Sequence, residues 1–168
     1  MPVAPLSQVP GGSNLFIDAN IFIYALNGQS AECRQLLERC SREEVTGISL
    51  FEVLHEATHR LMLAEALSQG LIRRESAAIL RANFNLIGNL GDYWQDTQRI
   101  LALNLLFLSS DEDITRRAQV ERDQAHLLTN DSLIVACMRT YQIQFLATRD
   151  TDFERVPGIQ VFRPSDLP

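Results

Sequence analysis

Apolar residues in this chain fall into short solid runs separated by longer stretches of helical spacing. Asn14 to Ile17, Val45 to Ile48, Leu105 to Leu108, Ile143 to Thr148 and Ile159 to Phe162 read as buried strands. Asn20 to Leu26 reads as a helix. Ser30 is placed to cap a second, with Cys33, Leu36, Leu37 and Cys40 on one face. Ser49 is the expected cap of the strongest helical pattern. Leu50, Val53, Leu54, Ala57, Leu61 and Ala64 fall there at i, i+3, i+4, i+7, i+11 and i+14. Arg73 to Leu103 predicts two helices broken near Gly88 and Gly91. Ser110, with Asp111, Glu112 and Asp113 behind it, predicts a helix start whose acids suit the dipole. Asp131 opens a helix that runs through Met138. Strands alternating with helices predict an α/β domain with a mostly parallel sheet of about five strands.

Length and composition narrow this. At 168 residues the chain suits one domain, 14–168, and 46% hydrophobic content with 21% charge is ordinary for a soluble globular protein. Residues 1–13 hold three prolines and two glycines and predict a flexible tail, without the basic and apolar regions of a signal peptide. No apolar run approaches the ~20 residues that span a bilayer, so a cytoplasmic location is expected. Cys33, Cys40 and Cys137 are odd in number and form no Cys-x-x-Cys pair, as in a reduced protein. All fifteen basic residues are arginine. The absence of lysine excludes a Walker-A phosphate loop and Schiff-base chemistry, and the net charge of −6 excludes a generic nucleic-acid coat.

Four acids stand just after, or one step into, apolar segments: Asp18, Glu52, Asp131 and Asp150. In open α/β sheets such positions face the crevice where ligands bind. Each also has a plain structural explanation. Asp18 and Asp131 can cap helices, Glu52 can belong to the polar helix face it shares with His55, Glu56 and His59, and Asp150 can begin a turn with Thr151 and Asp152. Their shared placement is what those separate explanations leave out. Carboxylates gathered in one cleft repel one another unless hard divalent cations neutralise them.

The segments around these acids resemble PIN domains. Phe-Ile-Asp-Ala-Asn-Ile-Phe-Ile-Tyr-Ala-Leu, Ser-Leu-Phe-Glu, Thr-Asn-Asp-Ser-Leu-Ile-Val-Ala and Ala-Thr-Arg-Asp-Thr-Asp-Phe-Glu-Arg-Val-Pro-Gly-Ile-Gln-Val follow in the family's order over about residues 14 to 164. Small VapC-like bacterial toxins and their stand-alone relatives are similar in size. The resemblance implies a three-layer α/β/α fold and a Mg²⁺- or Mn²⁺-dependent endoribonuclease. Its four acids, as metal ligands and catalytic residues, match Asp18, Glu52, Asp131 and Asp150, with Asn20, Thr148 and Asp152 in support. It also implies an RNA substrate, an antitoxin partner and a homodimer. Arg149, Arg116 and Arg117, with Arg122, are the arginines proposed to meet phosphates, against a default of solvated surface charge.

Two rival readings remain and a third fails. His55-Glu56-Ala57-Thr58-His59 is a literal His-Glu-x-x-His, the zinc-protease signature, but it needs a third ligand, and His126 and Glu75 carry no supporting motif. Asp150-Thr151-Asp152 resembles a haloacid-dehalogenase motif, yet Glu154 stands where that motif needs threonine or valine. A non-catalytic PIN fold kept for protein contacts would show lost acids, and none is lost.

Overall fold

A computed structural model describes residues 2–167. Six strands form one parallel sheet: β1 (Ala4–Pro5), β2 (Asn14–Ile17), β3 (Thr46–Leu50), β4 (Leu106–Leu108), β5 (Phe145–Ala147) and β6 (Gln160–Arg163), in the order β1-β6-β5-β2-β3-β4. Seven α-helices connect them: α1 (Ala19–Leu26), α2 (Ala31–Ser41), α3 (Phe51–Ser68), α4 (Ala77–Ala82), α5 (Asp92–Ala102), α6 (Glu112–Ala125) and α7 (Thr129–Thr140). The α1, α2, α3 and α5 helices pack together, and α6 packs against α7. This is the expected α/β/α architecture with one more strand than the apolar runs indicate.

The extra strand lies in the expected tail. Ala4 pairs with Phe162 and Pro5 with Arg163 at the sheet edge, while Leu6 (1% exposed) and Val9 (3%) enter the core. Arg39 Nη2 donates to the Val9 carbonyl at 2.8 Å. The flexible-tail reading is therefore corrected for residues 2–13; Met1 lies outside the described residues. Proline suggested disorder, but an edge strand tolerates it because it leaves N–H groups on one side without a ladder partner.

One expected cap does other work. Ser49 belongs to β3, where its hydroxyl donates to the Ile17 carbonyl at 2.8 Å and joins β3 to β2, and α3 starts directly from Leu50. Asp111, rather than Ser110, caps α6 by accepting from the Ile114 N–H at 2.8 Å. By contrast, Ser30 caps α2 and the 73–103 stretch divides into α4 and α5 as its glycines indicate. Gly47 sits where an added Cβ would lie 2.4 Å from the Leu105 side chain and 3.0 Å from those of Cys40 and Ile17, so a larger residue there would require those side chains to shift.

The topology determines where a ligand can sit. From β2 the chain steps outward to β3 and β4, then returns to the far side of β2 for β5 and β6. The carboxyl ends of β2 and β5 therefore flank the point where strand order reverses, the usual ligand crevice of open parallel sheets. A second, smaller apolar cluster of Leu63, Ala66, Ile72, Leu80 and Leu90 lies away from the main core. Leu63 is thus core, as expected by default, whereas Leu67 is exposed. Among the described residues no helix is long and apolar enough to cross a membrane.

Candidate active site

Asp18 follows β2 directly and caps α1, accepting the Ala19 N–H at 2.7 Å. Its other oxygen receives the Thr148 hydroxyl at 2.6 Å and the Asn20 amide at 2.5 Å. Thr148, fully buried after β5, also accepts from the Asn20 amide and from the Asp150 N–H, both at 3.0 Å. Asn20 completes the tie by accepting the Arg149 N–H at 3.1 Å. Asn20 and Thr148 thus stitch the ends of β2 and β5 together around one carboxylate.

Asp131, Asp150 and Asp152 each offer a carboxylate oxygen within 4.8 Å of the others. Asp131 comes from the first turn of α7, the other two from the turn after β5, where the Asp150 carboxylate accepts the Asp152 N–H at 2.8 Å. Asp152 therefore belongs to the cluster while also pairing with Arg155 at 2.7 Å. Burial pushes Asp18 (8% exposed) up to about 6, and the charges of Glu56 and Asp150 add to this against the hydrogen bonds from Thr148 and Ala19. Burial, followed by Asp150, Asp18, Asp152 and Glu56, likewise pushes Asp131 up to about 6. Hard oxygen donors whose charged forms crowd one another suit a small divalent cation.

The polar face of α3 carries two acids, Glu52 and Glu56. Glu52 turns toward the β4–α6 junction, where it accepts from the Ser110 hydroxyl and, at 3.3 Å, from the Ser110 N–H. Its other oxygen, Oε2, is buried without a hydrogen-bond partner among the described residues. Glu56, one turn along α3, acts on both aspartates and accepts from Asn130 of α7 at 3.2 Å. One helical turn separates the two glutamates, so both fit the polar face of α3 and spacing alone does not choose between them. The sequence signal available was the position deeper in the helix, facing α1 and α7.

Among the arginines, Arg149 adjoins the cluster, with its guanidinium carbon 5.7 Å from the Tyr24 ring centre. Arg116 lies exposed on α6 and pairs with Glu112 at 2.5 Å; Arg117 is an exposed neighbour. Arg122 ties α6 to α7 through Ser132 at 3.0 Å. Sequence reasoning overlooked Arg60, which lines a pocket with Arg149 and Asp150. His55 and His59 are exposed, and the three aspartates are the sole set among the described residues with metal-binding geometry. The zinc-protease reading thus lacks its third ligand.

A family model described as PIN domain matches residues 15–159, most of the chain. This chain belongs to the PIN domain family. Ribonuclease VapC6 of Methanocaldococcus jannaschii is 24% identical over 163 residues, covering 90% of this PIN chain and 97% of the relative. VapBC2 from Rickettsia felis, solved bound to a DNA fragment from its promoter, shares the fold at a TM-score of 0.58 and 17% identity, covering 89% and 98% of the two chains. Mycobacterium tuberculosis VapC20, a toxin that cleaves the sarcin–ricin loop, does so at 0.54 and 16%, covering 85% and 95%. In this PIN domain the acids stand at the sheet's switch point, carried by β2, α3, α7 and the turn after β5.

Proposed function

We propose that this PIN domain is an endoribonuclease dependent on Mg²⁺ or Mn²⁺, and the toxin of a type II toxin–antitoxin pair or a stand-alone relative. The observation that carries this reading is the cluster of Asp131, Asp150 and Asp152 in the crevice beside the buried Asp18, with Asp18 and Asp131 both pushed up to about 6. Asp131, Asp150 and Asp152 would hold the ion, with Asp18 and Glu56 on its flank. When bound, such an ion supplies an activated water and neutralises charge on the phosphodiester. Thr148 and Asn20 keep the Asp18 carboxylate in one orientation through their hydrogen bonds. Glu56, held by Asn130, would orient the attacking water beside Glu52, the acid first expected in that role.

The names of the relatives support ribonuclease chemistry, and the R. felis VapBC2 structure supports an antitoxin as partner. The test is cleavage of labelled RNA by the purified protein in Mg²⁺ or Mn²⁺. Cleavage that stops in EDTA is expected. Activity undiminished by EDTA, or digestion of casein with Zn²⁺, would overturn the reading. Light scattering on the same sample tests the expected homodimer.

A further inference from the structure

An open pocket of about 360 Å³ lies against the acid cluster, lined by Asn20, Tyr24, Arg60, Arg149, Asp150 and Thr151. Asp150 belongs to both, so a group in this pocket neighbours whatever reacts at the aspartates. Its walls hold two guanidinium groups from distant parts of the chain. Arg149 comes from the turn after β5 and lies over Tyr24, its Nη1 3.4 Å from the phenol oxygen. Arg60 comes from α3, one turn beyond Glu56, is half-buried, and has no ion-pair partner among the described residues. Holding a cation half out of water without a counter-charge is unfavourable, and a bound anion removes that penalty.

The anion also follows from the surroundings. Next to the carboxylates, a free anion would meet repulsion from the acids. A phosphate covalently joined to one already held at the aspartates is brought in at high effective concentration. We propose that Arg60 and Arg149 bind the backbone phosphate adjacent to the scissile one, and that Tyr24 positions Arg149. This rests on the ribonuclease reading and adds a substrate requirement. The RNA must extend at least one phosphate beyond the cleaved bond, so a trinucleotide is a substrate and a dinucleoside monophosphate a poor one.

The experiment pairs cleavage with direct binding of a fluorescein-labelled single-stranded RNA, read by anisotropy across a salt series. Arg60→Ala and Arg149→Ala are each expected to weaken binding about tenfold and to reduce the slope of log K against log salt by about 0.7. Arg60→Lys should recover part of the affinity and all of the slope. Arg149 also packs on Tyr24, so Arg60→Ala, verified as folded by circular dichroism, is decisive. If wild type binds and cleaves while Arg60→Ala matches its affinity and slope, the pocket assignment is wrong and the ribonuclease reading stands. If wild type binds without cleaving and Arg60→Ala loses affinity, the nuclease reading falls and takes the adjacent-phosphate assignment with it, leaving the pocket as an RNA-binding site only. If wild type neither binds nor cleaves, both fall.

Discussion

Glu65 and Asp18 are both buried carboxylates, 7% and 8% exposed, and they are held in opposite ways. Glu65 lies by the smaller core. Its oxygens accept the Gly91 N–H at 2.9 Å, the Tyr93 N–H at 2.8 Å and the Gln69 amide at 2.9 Å. Burial alone would raise its carboxyl, but these bonds outweigh it and hold the group below the usual range. It thereby caps α5, whose own N-terminal glycine has no side chain to do so. Asp18 also accepts several hydrogen bonds, yet burial and neighbouring acids keep its carboxyl raised. A carboxylate whose donors outweigh its burial is architecture, whereas one that burial keeps raised beside other acids is poised for a cation.

The sharpest way to break this contrast is at Asp18. Asp18→Asn should cut metal-dependent RNA cleavage by about 10³-fold or more, because several kcal/mol of metal-assisted stabilisation is lost at ~1.4 kcal/mol per decade. Wild-type rates in that variant would place the chemistry elsewhere. The same assay separates the glutamates of α3. Glu56→Gln is expected to lose about 10²-fold as an orienting group, and Glu52→Gln to stay within about threefold. The reverse result would restore Glu52 as the second acid.

Glu65 is the counter-case. Glu65→Ala leaves two buried N–H groups without acceptors, and should lower stability by about 2–4 kcal/mol. That corresponds to a Tm about 4–16 °C lower for a domain of this size. Activity per folded molecule, assayed well below that Tm, should remain within about twofold, since Glu65 touches nothing in the acid cluster. A large loss of activity at unchanged Tm would show that the two regions are not independent.

The same contrast explains what the sequence could reveal. Asp18, Asp131 and Asp150 were legible because each sits next to an apolar run that places its backbone, and the strand ends bring those backbones together. Glu52 and Glu56 were not separable, since one helical turn gives both the same face; Glu56 meets Asn130 of α7 and Glu52 meets Ser110. Asp152 read as a turn residue because its cluster forms across space, with Asp131 twenty-one positions earlier in the chain. The N-terminal segment was misread because its prolines suit an edge strand as well as a loose tail, and its pairing partner β6 lies at the other end of the chain. Arg60 was hidden for a related reason: nothing local shows that α3 and the turn after β5 share a pocket.

The smallest effect concerns proton binding. Asp18 and Asp131 are raised from 3.8 to about 6, so without metal the folded state binds protons more tightly than the unfolded chain. Stability should therefore be highest on the acid side of this window and fall as pH rises from about 4 to 6. Glu65 acts in the opposite sense: its carboxyl is lowered from 4.5, so its contribution is present above that value and is lost as pH falls through the folded-state pKa. In EDTA at pH 7, Asp131→Asn removes one crowded charge. Asp131 is only partly buried, so solvent screening limits the gain to about 1 kcal/mol, or ~2–4 °C in Tm. Saturating Mg²⁺ or Mn²⁺ should reverse the order. At about 100 times its Kd the ion stabilises wild type by ~2.7 kcal/mol, roughly 5–10 °C, which the variant forgoes. Scanning calorimetry of both proteins with and without metal measures that crossing. If Asp131→Asn is less stable than wild type in EDTA, Asp131 is held as Glu65 is, by donors rather than against repulsion.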